Sequence, residues 1–198
     1  MIYVRPLRWE IEEVLSEDVL AVTVAEVKES ARMDSSETLL DATIEGYIKA
    51  VQNRIERWAG ITLFKTTFRG YYDSFPVVMR IDKRPNMAVE KIEYIAPDGT
   101  LTELSPLIYQ VQRFEKKSNI FNADGKCYPT EINWTVDSVQ VVVTAGWEDA
   151  DAIPEDIKSA IKMCVVKMLQ GDCGDNDILT KGAIQLLKHY KDEMAWLE

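Results

Sequence analysis

The 198-residue chain is 46% hydrophobic and carries 23 Lys and Arg against 33 Asp and Glu, giving a formal net charge of −10 and a pI near 4.7. Acidity of that order argues against a phosphate-gripping surface, because nucleic-acid affinity rests mainly on basic neutralisation of the backbone. No apolar run approaches the roughly 18 residues that cross a bilayer, and Met1–Glu10 turns charged too early for a secretory signal, so cytosolic residence without a membrane partner is expected.

The charge is unevenly spread. Residues 1–60 hold 7 basic against 12 acidic side chains, residues 61–147 hold 10 against 10, and residues 148–198 hold 6 against 11. A neutral middle between acidic ends implies that the parts meet different surroundings.

In chain order, residues 10–20 form a short acidic segment with helical spacing at Ile11, Val14 and Leu15, read as a loosely held arm. Thr23-Val24-Ala25-Glu26 is a capping-box pattern that predicts a helix to about Arg32. Asp34 with Glu37 offers a second start. Leu40, Ile44, Tyr47, Ile48, Val51, Ile55 and Trp58 then recur at helical spacing, with Gly60 placed as a left-handed cap.

After Gly60 the period changes. Strands are predicted over Thr62–Tyr72, Val77–Ile81, Val89–Ala96, Thr100–Leu104, Ile108–Arg113, around Ile120 and Phe121, and over Val139–Ala145. Pro97-Asp98-Gly99 is a hairpin turn and Asp124-Gly125 another. Pro154, Glu155 and Asp156 open a helix whose stripe is Ile157, Ile161, Cys164 and Met168, stopped at Gly171. A last helix is predicted over about 179–197, with Ala183, Leu187, Tyr190, Met194 and Leu197 on one face.

The resulting fold class is α+β, a helical bundle formed by N- and C-terminal helices with an inserted small all-β module, sandwich- or barrel-like. Its expected divisions are an arm at 1–20, a bundle from 21–60 and 148–198, and the β module at 61–147.

Few residues invite chemistry. His189, the lone histidine, has no Ser or Cys partner legible in the sequence, so a packed or exposed role is expected. Asp172, Asp175 and Asp177 share a loop, but Leu179 and Thr180 stand where a calcium loop needs oxygen ligands. Glu115 with Asp124 would be a glycosidase couple only by coincidence among 33 carboxylates. Cys127, Cys164 and Cys173 are an odd, scattered set that fits neither a disulfide framework nor a zinc site, and Cys164 reads as core. Arg113, Lys116 and Lys117 form a small basic cluster around Phe114, read as a solvated loop. Of Trp9, Trp58, Trp134, Trp147 and Trp196, Trp58 and Trp147 are expected in the core and Trp196 at an interface. No catalytic residue, cofactor or metal is predicted.

Several pieces, in their order and spacing, resemble one family. They are Val22–Glu29, the long helix ending Trp58-Ala59-Gly60, Arg84-Pro85, Val89–Gly99, Tyr109-Gln110-Val111, Val141–Trp147 and Ile153–Ile161. Together they resemble the head–tail connector (portal adaptor, head-completion) proteins of tailed bacteriophages, often carried by prophages. In that pattern the helix after Pro154 ends in aromatic and basic residues, whereas Met163–Gln170 is aliphatic here.

The resemblance implies a non-enzymatic structural protein of the virion, made in the host cytoplasm and placed at the head–tail junction. Copies would form a homo-oligomeric ring on the portal protein, following its symmetry. The ring would extend the channel, let DNA pass without specific binding, and offer a platform to a stopper or tail-completion protein. The C-terminal helix would dock on the portal, which marks Leu187, Tyr190, Met194, Trp196 and Leu197 as candidate interface residues. Two other readings stand beside it. One is a β-sandwich module binding carbohydrate or another ligand through Trp134, Tyr128, Tyr71 and Tyr72; the other is an acid hydrolase.

Overall fold

In the computed structural model, which describes residues 3–14, 19–114, 116–171 and 178–191, the chain divides into two units. A helical unit takes Ser16–Phe64 with Trp147–Glu198, and a β unit takes Met1–Leu15 with Lys65–Gly146.

The helical unit is built from capped amphipathic segments. Helix α1 (Val24–Ala31) starts on the capping box: the Glu26 N–H donates to Thr23 Oγ1 while the Thr23 N–H donates to the Glu26 carboxylate. That second bond, with the hydroxyl of the same threonine, holds the Glu26 carboxyl below its usual range. Helix α2 (Asp41–Ala59) buries Ile44, Ile48, Val51 and Ile55 completely and ends at Gly60, whose φ of 67° is one that glycine adopts without strain. Asp34 starts no helix. Its carboxylate accepts from the Ser36 N–H and Oγ in a tight local turn, which competes with helix initiation, and α2 begins seven residues later.

Helix α3 (Glu155–Leu169) follows Pro154 and places Glu155 and Asp156 at its positive end. It packs against α1, α2 and α4 (Lys181–Leu187), and Ile157, Ile161 and Cys164 are fully buried there. Thr180 Oγ1 caps α4 by accepting from the Ala183 N–H at 3.0 Å. The helix expected over about 179–197 breaks before Lys191: Lys188–Tyr190 tightens into a 3₁₀ turn and Lys191 is extended, while residues 192–197 of that expectation lie outside the described residues. Trp147 belongs to this core and ties the unit together, its N–H donating to the Leu63 carbonyl at 3.1 Å.

Among the described residues, the β unit has nine short strands in two sheets around one core. Strands β1 (Tyr3–Val4), β4 (Val78–Ile81), β8 (Ser118–Asn122) and β7 (Tyr109–Arg113) make the first, in the order β1-β4-β8-β7. The second runs β2 (Arg8–Val14), β3 (Thr66–Tyr72), β9 (Val139–Ala145), β5 (Ala88–Ile95) and β6 (Leu101–Glu103). Inward side chains include Met79, Ile81 and Ile120 from the first sheet and Phe68, Ile92, Val139, Val141 and Val143 from the second.

Residues 8–14 are a strand, not the helical arm expected from Ile11, Val14 and Leu15. The decisive pattern is the alternation of Arg8, Glu10 and Glu12 with Trp9 and Ile11, which suits an edge strand on β3. Trp9 packs edge-on against Phe68 at 6.4 Å and crosses Gly70, a position on β3 where a side chain would strike its ring. Register sets Val14, Thr66 and Ala145 side by side, so the chain passes in and out of the β unit at one end of this sheet.

Candidate functional site

Among the described residues, no His, Cys, Asp and Glu side chains gather in a group that could hold a metal ion. His189 lies 3.8 Å, ring to ring, from Tyr190. The half-buried Glu56 carboxylate accepts from the Leu63 N–H at 2.7 Å, and burial raises its pKa; it stabilises a chain turn. The Asp172, Asp175 and Asp177 loop and Glu115 lie outside the described residues.

Of the five residues expected to meet a portal, Leu187 is fully buried in the helical core and Tyr190 packs against that core half-buried. Met194, Trp196 and Leu197 lie outside the described residues. Beside Leu187 and Tyr190, the Lys191 ammonium stands 4.7 Å over the Trp58 ring. What the helical unit does expose is a trough of about 500 Å³, in which Met163 and Val166 of α3 lie between Lys162 and Lys167. Met163 is 43% exposed. Gly182 forms the opposite wall so closely that a Cβ there would stand 2.4 Å from Met163 Cε.

The β unit has two unlike ends. At one of them Lys83, Arg84, Arg113 and Lys117 line a cavity of about 510 Å³ with Met87 and Phe114. The Lys83 ammonium sits 4.1 Å from the Phe68 ring centroid, and burial lowers its pKa against the opposing pull of Asp82. Arg113 donates from Nε to the Met87 carbonyl. Of the predicted basic cluster, Arg113 and Lys117 therefore meet at this cavity, joined by Lys83 and Arg84 from a distant part of the sequence.

At the opposite end of β4 and β8 lies a pocket that no charged side chain lines. A pocket of about 340 Å³ is walled by Phe75, Pro76, Tyr128, Pro129 and Trp134, with Asn122 at its side. Phe75 stacks on Tyr128 at 4.7 Å and tilts against Tyr94 at 5.7 Å. Trp134 is 74% exposed, with Val77 and Val136 also bare at this end. Large apolar side chains left in water together mark an interaction surface more often than chance exposure does. Sequence reasoning puts Trp134 and Tyr128 with Tyr71 and Tyr72 on one sheet face. The structure brings only the first pair together, since Tyr71 faces outward to Glu10 and Tyr72 points into the core.

The outer face of the five-stranded sheet is a closed polar network. Arg69 reaches Glu12 and Glu93 at 2.7 Å each and Gln140 at 2.6 Å, and Lys91 reaches Glu93 at 2.8 Å. Arg8 bridges Glu10 and Asp137. Burial alone would raise the Glu93 carboxyl, but the bonds from Lys91 and Arg69 outweigh it and hold it below the ordinary range.

No family model and no curated protein sequence matches the chain. Solved structures do. The chain is similar to one from the neck of an empty GTA particle computed with C6 symmetry, at 17% identity and a TM-score of 0.73, over 93% of this chain and 95% of that one. It is similar over the same shares, also at 17% identity, to a chain of the native gene transfer agent virion (TM-score 0.71) and to one from the native neck computed with C12 symmetry (TM-score 0.69). The likeness spans both units and shows a shared fold.

Proposed function

We propose that the chain is a structural protein of a phage or phage-like particle, a head–tail connector whose copies form a ring below the portal. One observation carries this reading: the fold likeness to particle-neck chains covers 93% of the sequence, both units included. A single β-sandwich or helical motif recurs in many functions, whereas agreement over two units and their interleaved order is far harder to reach by coincidence.

The physical character of the two units fits that role. Heterologous contacts close into rings when each copy presents two different surfaces, and the β unit offers a cationic cavity at one end and an aromatic pocket without charged lining at the other. The helical unit, with 11 basic against 20 acidic side chains, would repel phosphates rather than hold them. DNA would slide past such a wall without a specific contact. In this reading the helices form one bundle and the stretch from Leu187 to Leu197 docks on the portal. Tyr190, Met194, Trp196 and Leu197 would make the contact and Leu187 would anchor it from within the core. The β unit would then meet neighbouring copies or a stopper, within the virion and, before that, in the host cytoplasm.

Mixing the chain with a portal protein from the same genome, followed by negative-stain microscopy and native mass spectrometry, tests the reading. A ring of many copies capping the portal is expected. A chain that stays monomeric and leaves the portal bare would contradict it.

A further inference from the structure

The cationic cavity of the β unit stands against the rest of that unit's charge. On the outer sheet face Arg8, Arg69 and Lys91 each meet a carboxylate directly. Around the cavity the pattern reverses. Lys83, Arg84, Arg113 and Lys117 line it, and no Asp or Glu among the described residues does so. Nor do Lys83, Arg113 or Lys117 form an ion pair with any described carboxylate. Each rests on an uncharged group instead: Lys83 on the Phe68 ring, Lys117 near the Phe114 ring at 5.9 Å, and Arg113 on the Met87 carbonyl through Nε. Arg113 is exposed and Lys117 partly so, which leaves both open to a partner from solvent. Like charges crowded on one concave surface repel each other, and carboxylates entering it relieve that repulsion through charge-assisted bonds.

The chain carries the complement itself. Residues 148–156 hold five carboxylates, at Glu148, Asp149, Asp151, Glu155 and Asp156, and no basic side chain. All five residues are exposed. Glu155 and Asp156 already serve the start of α3. Asp149 Oδ1 accepts from the Ala152 N–H at 2.8 Å, which sets Asp149 and Asp151 on one tight turn. We infer that the turn carrying Asp149 and Asp151 in one copy enters the cavity of Lys83, Arg113 and Lys117 in the next. Each copy then gives a turn to one neighbour and a cavity to the other, a heterologous contact that repeats around a closed ring. The inference rests on the connector reading only for the closing of that ring.

Nucleic acid is a poorer occupant. Its affinity grows with the number of phosphates neutralised, and a cavity of about 510 Å³ with four cations holds few of them on a chain of net charge −10. A folded copy brings its carboxylates in one short run, and beyond the contact salt screens the remaining charge of both copies.

Carbodiimide joins a carboxylate to an amine only where the two touch, so the full chain supplies its own test. Equal amounts of heavy-nitrogen-labelled and unlabelled chain are mixed with a portal protein from the same genome, treated with carbodiimide, digested and mapped by mass spectrometry. Mixed-isotope links from Asp149 or Asp151 to Lys83 or Lys117 are expected. Links between these residues within one chain only, or none at all, would overturn the inference. Arg113→Glu, at an exposed position, should reduce the mixed links about tenfold. Asp151→Arg in the same chain should restore them to within about twofold, read through Asp149; failure of that rescue would also count against charge pairing at this cavity. In a parallel arm, shielding of Lys83 and Lys117 from acetylation by oligothymidylate, with none by added chain, would hand the cavity to nucleic acid and end the proposal. Ring formation is scored separately on the same samples. Rings without mixed links would sink this inference alone, and mixed links without rings would sink the connector reading alone.

Discussion

The two units spend their charge differently. In the β unit 12 basic side chains meet 13 acidic ones, and on its outer sheet face they are matched: Arg69, Lys91 and Arg8 answer Glu12, Glu93, Glu10 and Asp137. In the helical unit 11 basic side chains face 20 acidic ones. There the apolar stripes of α2 and α3 hold the fold, while part of the acidity works locally, as in the Thr23–Glu26 cap and the Lys28–Asp41 pair. One unit uses carboxylates to fasten strands together; the other carries more carboxylates than its basic side chains can match. The difference teaches that net charge, read along the sequence, reports on what a surface must avoid as much as on what it binds.

The comparison is broken most forcefully in the helical core. Ile157→Ala removes a fully buried side chain from α3 and should cost about 3 kcal/mol. Hydrogen exchange should register that loss in helical-unit amides and leave β5 and β9 protected; equal loss in both would erase the distinction between the units. Gly70→Val comes next. Valine suits a strand, yet a Cβ there stands 2.8 Å from Trp9 Cζ3 and 3.0 Å from Pro6 Cγ. A penalty of about 2 kcal/mol is expected, with exchange protection lost over residues 8–14 and kept in β9.

The polar network gives a smaller, pH-dependent effect. Glu93 has a folded pKa below its unfolded one, so its contribution is complete above the ordinary carboxylate value of about 4.3 and fades as pH falls through the folded value. Arg69→Met should cost about 1.5 kcal/mol at pH 7 and flatten the decline of β-unit stability below about pH 4.3. A variant with the same acid profile as the parent would show that the network does no such work. Smallest is Thr23→Ala, about 1 kcal/mol from the lost cap, read as faster exchange confined to α1.

Much of this organisation is legible in the sequence because local rules and tertiary structure agree. The Thr23 box, the Gly60 terminator, the Asp98-Gly99 hairpin and the Ile157–Cys164 stripe each sit where spacing puts them. The N-terminal strand is hidden because Ile11 and Val14 satisfy a helical period over a span too short to outvote a waiting partner, β3. Asp34 misleads because the same oxygen that caps helices also closes turns. The cationic cavity joins Lys83 to Lys117 through the Ile81–Ser118 register, and the aromatic pocket joins Phe75 to Tyr128 and Trp134. Such sites are products of sheet pairing, and no spacing rule along one chain announces them. A partial signal exists for the second: Trp134 lies outside every predicted strand, where an aromatic side chain has little reason to be buried.

The most direct measurement is electron cryomicroscopy of particles from cells in which the gene for this chain is deleted and then restored. A head–tail connector predicts filled or empty heads lacking tails, unattached tails beside them, and return of joined particles on complementation. Normally tailed particles in the absence of the chain would contradict that role outright.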